Sequence, residues 1–132
     1  MVVTVMSATA CGGPVSAVRD RASSDMSCSQ AQTNVVPVTG YTGLYYVEGC
    51  KQLRRYTVDC NALGICLTPK SVDVLALVQK QAGFDLKCDA SSVAVERINT
   101  DTFGAQGCDR RASYVLLCRG QDCRVVQNTQ SQ

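Results

Sequence analysis

Four cysteines recur along this chain, twice in one register, and any fold must satisfy both sets. The first set is Cys28, Cys50, Cys60 and Cys66; the second is Cys88, Cys108, Cys118 and Cys123. Corresponding cysteines lie 60, 58, 58 and 57 residues apart. Gly49 and Gly107 stand directly before the second cysteine of each set, and Tyr56 and Tyr114 stand four residues before the third. Tyr45 matches Phe103, Ala22 matches Ala82, and Asp25 matches Asp85. Both copies read G-C-x5-Y-x3-C. Self-similarity at a fixed period marks one structural unit used twice. It shows duplication and is silent on activity.

Nine cysteines in 132 residues serve disulfides, a metal or redox catalysis. Structural metal sites of this size show C-x2-C pairs or histidine ligands, and thiol redox centres show C-x-x-C. The chain has no C-x2-C and no histidine. Disulfides remain, and they imply an oxidising compartment outside the cytoplasm. A net charge of +2 with no long basic run argues against nucleic acid as a partner. No apolar stretch of about 20 residues is present to form a transmembrane helix.

Nine is odd, so one cysteine lacks a partner within the chain. Cys11 is the outlier. It follows Val2, Val3, Val5 and Met6 and then the small residues Ser7-Ala8-Thr9-Ala10, and it precedes Gly12-Gly13-Pro14. This segment resembles the lipobox of bacterial lipoproteins, in which the signal peptide is cut before a cysteine that is then acylated. The resemblance implies residues 1–13 as a signal-peptide remnant, Cys11 as the lipidation site and, with Gly12 next, an outer-membrane destination. The apolar run is short and lacks a basic n-region, and Ala8 stands where Leu or Val is usual, so a start upstream of Met1 is expected. The other reading makes Cys11 a free or intermolecular thiol.

Hydrophobic periodicity gives the architecture. Val72, Leu75, Val78 and Ala82 form a helical stripe, which predicts a helix over 69–82 with Pro69 in its first turn and Gly83 at its stop. The equivalent stretch from Pro14 to Ala22 predicts a shorter helix. Strands are predicted over 34–38, 44–49 and 55–60, and over 93–98, 102–107 and 112–119. The fold class is α+β: two tandem disulfide-bonded modules, residues 14–67 and 68–126, each a short helix plus a three-stranded antiparallel β-meander. Residues 127–132 form a polar, disordered tail. Tyr56 and Tyr114 face the core. Asp25 and Asp85 read as caps of the turn before the first cysteine. Thr57 and Asp59 look solvated, whereas Val115 and Leu117 look apolar, as if the second module packed there.

The meander sets the disulfides. The first cysteine precedes the first strand and the second ends the second strand, so both lie at one end of the sheet. The third and fourth are close neighbours at the other end. A bridge needs Cα atoms about 4.4–6.8 Å apart. The expected pairs are Cys28–Cys50, Cys60–Cys66, Cys88–Cys108 and Cys118–Cys123.

The repeat pattern resembles the cysteine-repeat modules of small lipoproteins and secreted proteins from predatory soil bacteria, which carry a G-C-G-like turn followed by a Tyr and a Cys. The resemblance covers residues 14–126, with Lys51 and Asp109 at the last glycine of that turn. It implies compartment and architecture, and no functional residue is carried over from it.

Catalytic groups are scarce. Without histidine there is no Ser-His-Asp or Cys-His arrangement, and no two carboxylates stand out as an acid–base pair. No catalytic residue, metal ligand or cofactor is assigned. Lys51, Arg54, Arg55, Arg110 and Arg111 gather near the two hairpin bends and form a possible anion-binding patch for phosphate or anionic glycan. The favoured function is a non-enzymatic binding or structural module. It is anchored to the envelope through acylated Cys11, or else secreted, and meets an envelope protein or anionic glycan. The alternative is a secreted disulfide-rich inhibitor or effector that acts on another protein.

Overall fold

The structure, a computed structural model, describes residues 13–128. Cys11 and tail residues 129–132 lie outside them. The chain divides into two compact units between Val72 and Asp73. In the first, helix α1 (Gly13–Met26) leads through a 3-10 turn (Gln30–Gln32) into strands β1 (Asn34–Pro37), β2 (Leu44–Gly49), β3 (Gln52–Thr57) and β4 (Lys70–Asp73). In the second, helix α2 (Val74–Asp85) leads through a 3-10 turn (Ala90–Ser92) into β5 (Ala94–Asn99), β6 (Thr102–Gly107), β7 (Arg110–Arg119) and β8 (Asp122–Gln127). The sheet orders are β1-β2-β3-β4 and β5-β6-β7-β8.

The fold is α+β, but each sheet has four strands where three were expected. The extra strands are β4 and β8. A two-residue hairpin at Gly120-Gln121 turns the chain back, so that β8 pairs with β7 from Arg119↔Asp122 to Tyr114↔Gln127. Gln127, expected in the tail, is therefore the end of a strand. Residues 70–73 were expected in the helix because Val72 continues its stripe. Asp73 decides otherwise: its carboxylate accepts from the Ala76 amide at 3.1 Å and starts α2 there.

Helix lengths also differ from expectation. Helix α1 runs four residues past Ala22, through the weak helix formers Ser23, Ser24 and Asp25. Tertiary contacts hold it: Met26 is buried, and Asp25 binds Arg21 and Tyr56. Gly83 does not stop α2 but lies inside it. A Cβ there would come 2.9 Å from the Cys88 carbonyl oxygen, so only glycine allows this approach. Beyond the helix ends the chain passes through a left-handed residue, Ser27 (φ 50°) after α1 and Lys87 (φ 54°) after α2. The next amide then reaches back five residues, Cys28 to Ser23 at 3.0 Å and Cys88 to Gly83 at 2.9 Å. This is a Schellman closure with a non-glycine residue in the left-handed position, at a cost of about 1–2 kcal/mol each.

Each helix lays a stripe at i, i+4 and i+8 on its sheet: Val18, Ala22 and Met26 in one unit, Val78, Ala82 and Leu86 in the other, all buried. Tyr45, Val47, Tyr56 and Val58 complete the first core. Phe103, Ala105, Tyr114 and Leu116, at the same offset of 58, are buried in the second unit.

The disulfides are Cys28–Cys50, Cys60–Cys66, Cys88–Cys108 and Cys118–Cys123, with Cα separations of 6.0, 3.9, 5.8 and 4.0 Å. They are the pairs expected from strand direction. The first bridge of each unit ties the helix end to a two-residue hairpin bend. Cys50-Lys51 (φ 47° and 63°) and Cys108-Asp109 (φ 50° and 63°) form those bends with both residues left-handed, as a type I′ turn requires. Lys51 and Asp109 thus hold the second left-handed position of each bend without glycine. The preceding glycine is needed for space: a Cβ at Gly107 would lie 3.1 Å from Cys88 Sγ and 3.2 Å from the Ser92 oxygen.

Closing a loop of this length contributes about 3 kcal/mol by chain entropy. Replacing Cys88 and Cys108 together by Ala is expected to lower the stability of the second unit by that amount, read from urea midpoints. Gly107→Ala, which keeps the bridge but crowds it, should cost about 1–3 kcal/mol. A double variant that melts with the wild type would refute the bridge's structural role.

Candidate functional site

The pleat disperses the expected anion-binding residues. Lys51 is exposed at its bend. Arg54 pairs with Val47 and shares the helix-side face, where its Nη1 donates to Ser71 Oγ at 3.0 Å. Arg55 pairs with Tyr46 on the opposite face and is 9% exposed. Arg110 and Arg111 are exposed but, as consecutive strand residues, point to opposite faces. Within neither unit do these cations converge.

Asp25 and Asp85 have a role that sequence reasoning missed. Tyr56 Oη donates to Asp25 Oδ2 at 2.8 Å, and Tyr114 Oη donates to Asp85 Oδ2 at 2.8 Å. The second oxygen of Asp25 meets Arg21 Nε at 3.2 Å, and that of Asp85 accepts from Gln81 Nε2 at 3.1 Å. Each pair locks a helix end to the middle of a sheet. Both phenols are pushed well above their ordinary pKa of 10.0, first by burial and then by the adjacent carboxylate. The conjunction of Asp and Tyr in both repeats was the available signal.

The two copies differ most on the sheet face away from the helix. In the first, Tyr46, Leu53 and Arg55 on that face are buried. In the second, Ile98, Leu117 and Val126 remain exposed. Asp59 is exposed as expected and Thr57 and Val115 are half-buried, but the middle of the first outer face is buried and Leu117 of the second is exposed, neither of which was expected. The cause is legible in the aligned repeat: Tyr46 and Arg55, paired across β2 and β3, become Gly104 and Ser113, paired across β6 and β7. Loss of the two large side chains leaves a groove of about 420 Å³ on the second unit. Gly104 is among its lining residues, with Glu96, Ile98, Gln106, Arg111 and Ser113. Arg111 is the one expected anion ligand that lines it, together with the carboxylate of Glu96.

The groove therefore offers a cation, an anion, an amide and a hydroxyl oxygen, the Ser113 proton being donated to Asn128 Oδ1, around a bare patch of backbone. That set suits a polar chain with both donors and acceptors better than a simple anion. Among the described residues no group of three or more His, Cys, Asp or Glu side chains is placed to hold a metal. No described helix is long and apolar enough to cross a membrane. No protein-family model, curated protein or solved structure matches the chain.

The Tyr–Asp pairs give a signed pH dependence. Below pH 10 the phenols are neutral in both the folded and the unfolded chain, so they add no slope. Above that pH the unfolded chain ionises first, and stability falls as pH rises. Urea midpoints should drop through this alkaline range, and phenolate absorption from Tyr56 and Tyr114 should appear only with unfolding. In Tyr114→Phe the alkaline slope of the second unit should flatten, with a neutral-pH cost of about 1.5–3 kcal/mol for the lost hydrogen bond to a charged acceptor. An unchanged slope would contradict the pairing.

Proposed function

We propose that this chain is a non-enzymatic, disulfide-braced binding module of the bacterial envelope, tethered to the outer membrane through lipid on Cys11, and that the second unit holds its ligand groove. The observation that carries the reading is the divergence of the two copies. On the helix side the core aromatics and the Tyr–Asp bonds recur in both copies, although Arg54 becomes Ala112, whereas the opposite face exchanges Tyr46 and Arg55 for Gly104 and Ser113. Duplication followed by carving of one face is the expected history of a scaffold recruited for recognition. Four disulfides accord with an oxidising, extracytoplasmic setting. The Glu96, Gln106, Arg111 and Ser113 side chains fit an extended peptide segment of an envelope protein, whose backbone supplies matching donors and acceptors.

Two measurements test this. Intact mass without reduction, on protein from the host envelope after thiol alkylation, should show a chain beginning at Cys11, carrying lipid and lacking the hydrogens of four bridges. Alkylated free thiols would overturn the compartment. A photo-crosslinker at Gln106 should capture a discrete envelope partner, and Gly104→Phe, which fills the groove, should abolish that capture. Capture that survives Gly104→Phe would move the ligand site elsewhere.

A further inference from the structure

The loop closed by Cys60 and Cys66 is built unlike its counterpart in the second unit. Its sequence, Asn61-Ala62-Leu63-Gly64-Ile65, is followed by Leu67, and no charged residue occurs between Cys60 and Pro69. Leu63, Ile65 and Leu67 are 84%, 63% and 68% exposed. The counterpart between Cys118 and Cys123 reads Arg119-Gly120-Gln121-Asp122. Three large aliphatic side chains on one short exposed loop make a patch that a soluble protein does not present without a use.

Five amides of this loop, those of Asn61, Leu63, Gly64, Ile65 and Leu67, are satisfied from within. The Asn61 amide donates to the Ile65 oxygen at 2.9 Å, and the Gly64 amide (φ 82°) donates to the Asn61 oxygen at 3.0 Å. This is a three-residue hairpin turn with glycine in the left-handed position. Asn61 Oδ1 accepts from both the Leu63 and Ile65 amides, at 2.9 and 3.0 Å. The Leu67 amide donates to the Asp59 oxygen at 2.8 Å. The disulfide fixes the base of the loop, and Cys66 packs against the first core. Ile65 and Leu67, two residues apart on one arm, project to the same side.

We propose that this loop inserts its aliphatic tip into the acyl region of a lipid bilayer, as a second membrane contact on the first unit that is independent of lipid at Cys11. Two observations select lipid over a protein pocket. The amides of Leu63, Gly64, Ile65 and Leu67 need no outside acceptor, which lowers the cost of taking this backbone out of water. The tip carries leucine and isoleucine, the side chains that partition best into a bilayer, and no Trp, Tyr or Arg, the residues that dominate protein hot spots. Binding should depend little on salt or on lipid charge, because the tip bears no charge.

The chain contains no tryptophan, so Leu63→Trp creates a single reporter. It is placed in the full oxidised chain with Cys11→Ser, which removes any acyl contribution. On phosphatidylcholine vesicles, with or without phosphatidylglycerol, its emission should shift to the blue and be quenched by brominated acyl chains. In vesicle flotation with the same Cys11→Ser background, Leu63→Asp and Ile65→Asp should each reduce binding by more than about tenfold. Both positions are exposed, so these variants should keep their disulfides and melting behaviour. Unaltered emission on vesicles, or flotation of Leu63→Asp equal to that of Leu63, overturns the proposal. A shift seen only with envelope proteins and never with lipid overturns it as well and makes the tip a protein-docking loop. Neither result bears on the groove beside Gly104, which is tested separately.

Discussion

The bridge between the helix end and the hairpin bend organises each unit. A module of this size buries too little apolar surface to be secure on its hydrophobic core alone. A covalent tie therefore joins the helix end to the hairpin bend, across 22 residues in one unit and 20 in the other. Cys28 and Cys88 sit in the Schellman closure of their helices, and Cys50 and Cys108 sit in type I′ bends. Both places hold non-glycine residues in the left-handed region, a conformation that needs support from outside the local chain. The bridge supplies it, the preceding glycine makes room for the sulfur, and the Tyr–Asp hydrogen bond closes the same helix end onto the sheet from the other side. These features recur together because each one fixes the geometry that the next requires.

That dependence explains which parts of the fold were legible. The cysteine, glycine and tyrosine register could be read because covalent and steric demands tolerate few substitutions. Strands β2 and β6, which run straight into the bridged bend, match their predicted limits residue for residue. The helix starts were less legible. Residues 70–73 carry the period of a helix, and a single carboxylate cap at Asp73 overrides it. Strands β4 and β8 were missed because an edge strand packs one row of side chains and needs only weak alternation. The Asp25 and Asp85 pairing was missed for a different reason: a bond from helix to sheet spans about 30 residues of sequence, and nothing local announces it.

The groove was hidden by the opposite of conservation. Positions that the two copies share mark the scaffold. The functional candidate lies where they differ, at Tyr46 against Gly104 and Arg55 against Ser113. Of the five expected anion-binding cations three lie by one bend and two by the other, and in a strand neighbouring residues part to opposite faces. Arg54 and Arg55 illustrate this: one bonds Ser71 on the helix side while the other is buried on the far face.

Divergence on an unchanged scaffold has a physical basis. Exchange of a helix-side residue such as Tyr56 disturbs the core, the carboxylate bond and the helix end at once, so those sites are held fixed. The outer face and the disulfide-closed tips touch none of these. A tip tied by its own bridge can change every residue between its cysteines without loosening the sheet. In one copy it became Asn-Ala-Leu-Gly-Ile, with Asn61 taking over the backbone amides, and in the other Arg-Gly-Gln-Asp. The first tip is uncharged and aliphatic, whereas the second carries an arginine and an aspartate. A loop meant to remain in water gains little from satisfying its own N–H groups, since water does so at no cost. Each amide satisfied from within lowers the cost of leaving water.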